Sequence, residues 1–216
     1  MKKRHNFTLV EMLTVIAIIA ILAGIVTPVV IISKQRGLKS RAESEITSII
    51  SALKQLDADY GKVLKKTATA NTYEIGSQTV TAADDIATVT GDAYNAMIAE
   101  LSAPNNSAFT TVKPVSVNKR KKVYLEPQKG FNPAEAYTGQ TGLLYRDPWG
   151  NPYKIMVKVT KDDELKLNAT KTIVGNYAVY SFGPDKKDNN GCSADLDVCI
   201  STGDHKNHDD IASWNL

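Results

Sequence analysis

Residues 7–32 read FTLVEMLTVIAIIAILAGIVTPVVII, and this stretch decides how the chain is organised. Glu11 is the one charged side chain in it. At about 26 residues it exceeds the roughly 20 that a helix needs to cross a bilayer, and as a helix it would be about 39 Å long. Everything after it is more polar. The expected layout is therefore a chain held in a membrane by its first helix, with one soluble domain outside. Met1-Lys2-Lys3-Arg4-His5 sets three fixed cations before the run, and only Lys34 and Arg36 follow closely. That bias keeps Met1–Asn6 in the cytoplasm and sends the rest outward. A carboxylate in lipid costs on the order of 3 kcal/mol, so Glu11 is expected to have a partner and a purpose. Pro28 removes a backbone donor, and with Gly24 nearby it predicts a kink or local melting. Ala17, Ala20, Ala23 and Gly24 offer small residues for close approach of a neighbouring helix.

Simpler targeting segments fit less well. A cleaved secretory signal has a shorter apolar core ending at a small-residue cut site, whereas Ala23-Gly24 is followed by more apolar residues. A lipoprotein signal needs a Cys at the end of the core, and the two Cys here are Cys192 and Cys199. A plain signal anchor leaves Glu11 without a role.

Beyond the run, Leu38, Ala42, Ile46, Ile49, Ile50, Leu53 and Leu56 recur three or four apart, which is one helical face. Lys39, Arg41, Glu43, Glu45, Lys54 and Asp57 occupy the other, and Gly61 is a fitting stop. The expected first element is one helix from Phe7 to about Tyr60: residues 7–32 in the membrane, residues 33–60 amphipathic and buried against the domain.

The 216 residues leave room for one globular domain with a real core. The net charge of +3 is mixed along the chain and gives no basic face for nucleic acid. Residues 61–141 form a variable region. Lys62–Thr90 reads mostly as loop, with short strands at Tyr73-Glu74-Ile75 and Thr79-Val80-Thr81. Asp92 reads as the N-cap of a helix over Ala93–Leu101, with Tyr94, Met97, Ile98 and Leu101 on one face. The basic run Asn118–Lys122 reads as a solvated loop or as a docking patch for an acidic partner. A strand is expected at Val123-Tyr124-Leu125.

Residues 142–216 read as a C-terminal β region. Asp147-Pro148-Trp149-Gly150-Asn151-Pro152-Tyr153 is a turn by composition, and Trp149 and Tyr153 read as core aromatics. Lys154–Val159 reads as a half-buried strand and Ile173–Ser181 as a second strand. Asp185, Asp188, Asp195, Asp197, Asp204, Asp209 and Asp210 crowd the last stretch. Outside the cytoplasm, Cys192 and Cys199 would close a short disulfide loop. Zinc held by Cys192, Cys199, His205 and His208 is disfavoured by spacings outside the usual patterns. No hydrolase or phosphate-binding motif appears, so an enzyme is not expected.

Phe7-Thr8-Leu9-Val10-Glu11 behind a short basic leader resembles the signal of type IV pilins and type II secretion pseudopilins. The resemblance implies a prepilin peptidase that cuts between Asn6 and Phe7 and methylates the new Phe7 amine. Glu11 then takes the family's glutamate position, and Pro28 falls where many members have a proline. The family has Gly just before the cut, where this chain has Asn6. Residues 147–153, DPWGNPY, resemble a segment of the major, G-type pseudopilin. So do Tyr180–Asp185 and Asp209–Trp214, which correspond to a C-terminal loop that holds calcium in that group. The resemblance implies Asp185 and the Phe182 carbonyl as calcium ligands, with Asp209, Asp210 or both supplying the second carboxylate. Carboxylate and carbonyl oxygens are what calcium requires. An acidic loop without metal is the other reading, and the stretch carrying both Cys is an insertion relative to the family. Residues 61–141 are longer than in a typical major pseudopilin.

The resulting expectation is an α+β, pilin-like fold: a long helix packed on a small antiparallel sheet. Its function would be that of a structural subunit in a pseudopilus or pilus-like filament. Its partners would be other copies of itself, minor pseudopilins, the inner-membrane assembly platform and the peptidase. The Phe7 amine is a cation in the same low-dielectric zone as Glu11, and pairing them offsets the cost of both. A heterologous contact of this kind does not close and so builds an open filament. The alternative function is a membrane-anchored extracytoplasmic binding module that does not polymerise.

Overall fold

The computed structural model describes residues 9–75, 78–83, 85–102, 117–126, 145–160, 164–166, 172–184 and 211–213. Helix α1 runs Leu9–Tyr60 and continues past Pro28, so the local melting expected there is not seen. Phe7 and Thr8 lie outside the described residues. Two compact units divide the chain, Met1–Ser40 and Arg41–Leu216. The first contains the apolar part of α1.

The second unit is built on the rest of α1. Ala42, Ile46, Ile49, Ala52, Leu53 and Leu56 are fully buried, which is the expected stripe with Ala52 added. Leu38 and Ile50 are only partly covered. The helix ends where Gly61, at φ 68°, turns its N–H back onto the Asp57 carbonyl at 2.6 Å. That left-handed conformation suits glycine.

Nine strands are described: β1 Lys65–Lys66, β2 Thr72–Ile75, β3 Gln78–Ala83, β4 Ile86–Val89, β5 Lys154–Lys158, β6 Glu164–Lys166, β7 Thr172–Val174, β8 Tyr177–Ser181 and β9 Ile211–Ala212. Among the described residues, one sheet has the order β1-β2-β3-β4-β5-β8-β9, with every neighbouring pair antiparallel, and β6-β7 form a separate pair. The short strands expected at Tyr73-Glu74-Ile75 and Thr79-Val80-Thr81 are β2 and β3, and with β1 and β4 they make Lys62–Thr90 a strand meander rather than mostly loop. Its Thr and Ala residues give little hydrophobic contrast, and only Val80 and Ala82 of β3 face inward.

Strand β5 was expected to be half-buried, yet Ile155, Met156 and Val157 are all buried. Ile155 and Val157 join the core under α1, while Met156 joins a second cluster with Leu165, Ile173, Ala178 and Tyr180. The β6–β7 hairpin supplies the cover on that second face. The single strand expected over Ile173–Ser181 is two strands, split at Gly175, whose φ of 121° requires glycine.

Helix α2 spans Gly91–Ser102, so Asp92 sits in its first turn rather than before it. Every residue from Ala93 to Ser102 is buried, not one face alone. Segment 117–126 covers its far end. The Glu100 carboxylate accepts the Val117 and Asn118 N–H groups, and the Leu101 carbonyl accepts those of Tyr124 and Leu125 at 2.8 and 3.0 Å. Val123-Tyr124-Leu125 is thus not a strand, because its backbone donors serve the end of α2.

Candidate functional site

The side chains of Leu9–Ile32 set this helix apart. Leu9 is 80% exposed, Ile16 63%, Ile25 63% and Ile32 50%, so the apolar surface is open on every side. A soluble helix shows one apolar stripe, whereas one apolar all round belongs in a membrane or among its own kind. Among the described residues, this is the one helix long and apolar enough to cross a bilayer. Its hydroxyls are satisfied within the helix. Thr14 Oγ1 donates to the Glu11 carbonyl at 2.9 Å and Thr27 Oγ1 to the Ala23 carbonyl at 2.8 Å. Such back-bonding lets Thr sit in hydrocarbon without a stranded donor. Pro28 brings no N–H, so the Gly24 carbonyl lacks its helical donor. Glu11 lies on the exposed surface near the start of α1, and Ala17, Ala20, Ala23 and Gly24 are exposed as well. Asn6 and Phe7 lie outside the described residues.

The second candidate region is the base of the C-terminal loop. Strand β8 pairs with β9 in the register Tyr180↔Ala212 and Ser181↔Ile211. The chain therefore leaves β8 and re-enters β9 at one place. Phe182 is half-buried there, its ring edge-on to Tyr180 at 5.8 Å. Asp185, Asp209, Asp210, Cys192, Cys199, His205 and His208 lie outside the described residues.

Sequence reasoning missed the residue that ties this region together. Asp147 is buried, and its Oδ1 accepts the Trp149 N–H at 3.1 Å and the Asn151 N–H at 2.7 Å. Its Oδ2 accepts the Ser181 hydroxyl at 2.7 Å, and Ser181 Oγ in turn accepts the Gly183 N–H at 3.1 Å. One carboxylate thus holds the 147–153 turn and fixes the exit of β8. The Asp-Pro step is the local signal for such a turn, but the long-range bond to Ser181 has none.

Tyr153 is a core aromatic, as expected, and Trp149 packs half-buried on the same core. The Tyr153 hydroxyl also donates to Glu45 on α1, which pairs with Arg41 at 2.8 Å. Burial, then the bond to Glu45, pushes the Tyr153 phenol far above the usual tyrosine range. Burial likewise raises that of Tyr94, whose hydroxyl donates to the Tyr145 carbonyl at 2.8 Å. These phenols stay protonated and act as struts.

Comparison with known families matches residues 1–27 to the prokaryotic N-terminal methylation motif. The N-terminus is type IV pilin-like. It carries the signal of a subunit processed as a prepilin. No curated protein and no solved structure matches the chain.

Proposed function

We propose that the chain is a structural, non-catalytic subunit of a type II secretion pseudopilus or a type IV pilus-like filament. Prepilin peptidase cuts between Asn6 and Phe7 and methylates the Phe7 amine. The apolar part of α1 lies in the inner membrane, with the Arg41–Leu216 unit outside the cytoplasm. The assembly platform then draws copies into a filament, with minor pseudopilins as companions. In the filament the Glu11 carboxylate meets the Phe7 amine of a neighbour, and the small residues around Ala20 allow close packing. The observation that carries this reading is Leu9–Ile32, whose described side chains are exposed all round and whose one carboxylate lies within a methylation motif. Residues 147–153 favour the pseudopilus over the pilus, because their DPWGNPY sequence resembles the major pseudopilin.

Calcium is part of the same proposal. Asp185, the Phe182 carbonyl and one or both of Asp209 and Asp210 would hold it, an all-oxygen set suited to that ion. The β8–β9 register supports this, since it brings the two ends of the loop together. Bound calcium supplies a cross-link at the loop base, and a Cys192–Cys199 disulfide closes the loop further out. Chelation should lower the melting temperature of the full chain, and re-addition of calcium should restore it. An unchanged melting temperature at every calcium concentration removes the ion.

The direct test of processing is the intact mass of the protein from its native membrane. Loss of Met1–Asn6 with gain of one methyl group is expected. An uncut N-terminus returns the chain to a plain anchor carrying a binding module.

A further inference from the structure

Against the C-terminal end of α1 the fold holds a basic turn in place. Asn118 is buried, and its side chain fixes that turn from within. Its Oδ1 accepts the Lys122 N–H at 3.0 Å and the Tyr60 hydroxyl at 3.3 Å. Its Nδ2 donates to the Glu100 and Lys122 carbonyls at 2.9 and 2.8 Å. The Tyr60 oxygen accepts the Arg120 N–H at 3.1 Å, and the Asn118 carbonyl accepts that of Lys121 at 3.1 Å. Lys121 sits at φ 51°, a left-handed conformation that is unfavourable for any residue with a Cβ and suits glycine.

Lys119, Arg120, Lys121 and Lys122 follow one another round this turn. The fold neutralises the last of them. Lys122 Nζ lies 2.8 Å from Asp59 Oδ2 and 4.9 Å over the Tyr124 ring. Lys119, Arg120 and Lys121 are exposed and make no ion pair among the described residues. Adjacent like charges repel, so the domain gains no stability by holding three cations on a strained turn. An anionic partner gains from it, because a turn already fixed loses little freedom on binding.

Val123 narrows the class of partner. It is 55% exposed beside the cations, while Leu125 is buried and the Tyr124 and Leu125 N–H groups are held by the Leu101 carbonyl. Outside Leu9–Ile32, Val123 and Val174 are the large hydrophobics left exposed among the described residues. A phosphate chain offers charge but no apolar cover for Val123. A long polyanion would also run onto carboxylates, since Asp59 stands beside the turn and the exposed Glu126 follows it. A short acidic stretch of polypeptide meets neither difficulty. Its carboxylates serve the cations, with Arg120 able to take one bidentately, and an aliphatic neighbour covers Val123.

We propose that Lys119–Val123 is a docking site for a short acidic segment of another protein, one that carries aliphatic side chains beside its carboxylates. The site does not depend on filament assembly, so its test uses the dispersed chain.

The full chain is purified in a zwitterionic detergent and titrated at low ionic strength, because exposed charges are screened by salt. The probes are a short capped peptide alternating glutamate and leucine, a peptide of equal charge alternating glutamate and serine, and a single-stranded oligothymidine. Each carries a rhodamine label, its anisotropy reports binding, and empty micelles give the baseline. The leucine peptide should bind most tightly. Lys119→Glu combined with Lys121→Glu should weaken it about tenfold. Val123→Ser should bring it down to the level of the serine peptide. Lys121→Gly separates docking from folding: it removes a cation and relieves the left-handed strain, so the peptide should bind less tightly while the melting temperature stays the same or rises. Lys54→Glu, an exposed change on α1 outside the turn, should have far less effect than the double reversal. No binding above empty micelles overturns the proposal and leaves a solvated turn. Tighter binding of oligothymidine than of the leucine peptide overturns it in favour of a polyanion site. Equal binding of the two peptides, or binding that the turn variants leave intact, overturns it as well.

Discussion

Leu9–Ile32 and Arg41–Tyr60 belong to one helix and meet different solvents. In the second segment, the residues at three- and four-residue spacing are fully buried while Arg41, Lys54 and their neighbours face water. In the first, apolar side chains cover every side, and those described are exposed. Each fully buried Ile or Leu of the second segment stabilises its unit by about 1.5–3 kcal/mol. The same side chains in the first segment contribute nothing until lipid or a neighbouring helix covers them. One half of α1 is thus a core element, and the other is a surface awaiting its environment.

This contrast breaks if both halves respond alike to truncation. Leu53→Ala should lower the unfolding free energy of the Arg41–Leu216 unit by about 2–5 kcal/mol. Ile19→Ala should leave it within about 0.5 kcal/mol. Denaturant unfolding of the full chain in detergent, followed by tryptophan fluorescence, reads both. Equal losses would mean that the apolar half is buried in the domain.

A smaller effect sharpens the account of how the domain is fastened. Asp147→Ala strands the Trp149 and Asn151 N–H groups and the Ser181 hydroxyl, and should lose about 2 kcal/mol. Asp147→Asn keeps an acceptor oxygen and should recover part of that. A silent Asp147→Ala would remove the link between the turn and β8.

The buried phenols carry a pH signature. Folded Tyr94, Tyr153 and Tyr177 have their phenols raised, chiefly by burial. Their contribution is fully present below the unfolded tyrosine value of about 10 and is lost as pH rises beyond it. Stability should therefore fall above about pH 10, and Tyr153→Phe should lose about 1 kcal/mol at neutral pH and flatten that fall. An unchanged alkaline limb would say that Tyr153 does not couple to folding.

The smallest effect is at Asp59, whose carboxylate is held below its usual range by bonds from Lys122, at 2.8 Å, and Tyr124. A lowered folded value gives stability that is present above the unfolded Asp value of about 3.9 and is lost as pH falls through the folded one. Asp59 is exposed, so Asp59→Asn should shift only the acid limb, and slightly.

How much of this was legible follows from the kind of signal each region carries. Both halves of α1 were readable because apolar periodicity needs no knowledge of the partner. Of the meander, β2 and β3 were readable as short strands, but β1 and β4 were not, because β1 is two exposed lysines and β4 is defined by what it pairs with. The two-sided burial of β5 was hidden because it depends on a hairpin from a later part of the chain. Asp147 was read as part of a turn, but its bond to Ser181 crosses between distant segments. Glu11 stood out at once, since a carboxylate in an apolar run is conspicuous from sequence alone.

The central claim is that the exposed half of α1 is an assembly surface and that Glu11 sets its register. Its most direct test compares the sheared filament fraction of Glu11→Ala with that of the unmodified chain in the native host, at equal amounts in the membrane. The account predicts normal membrane insertion and no filament incorporation. Filaments at the unmodified level would contradict it.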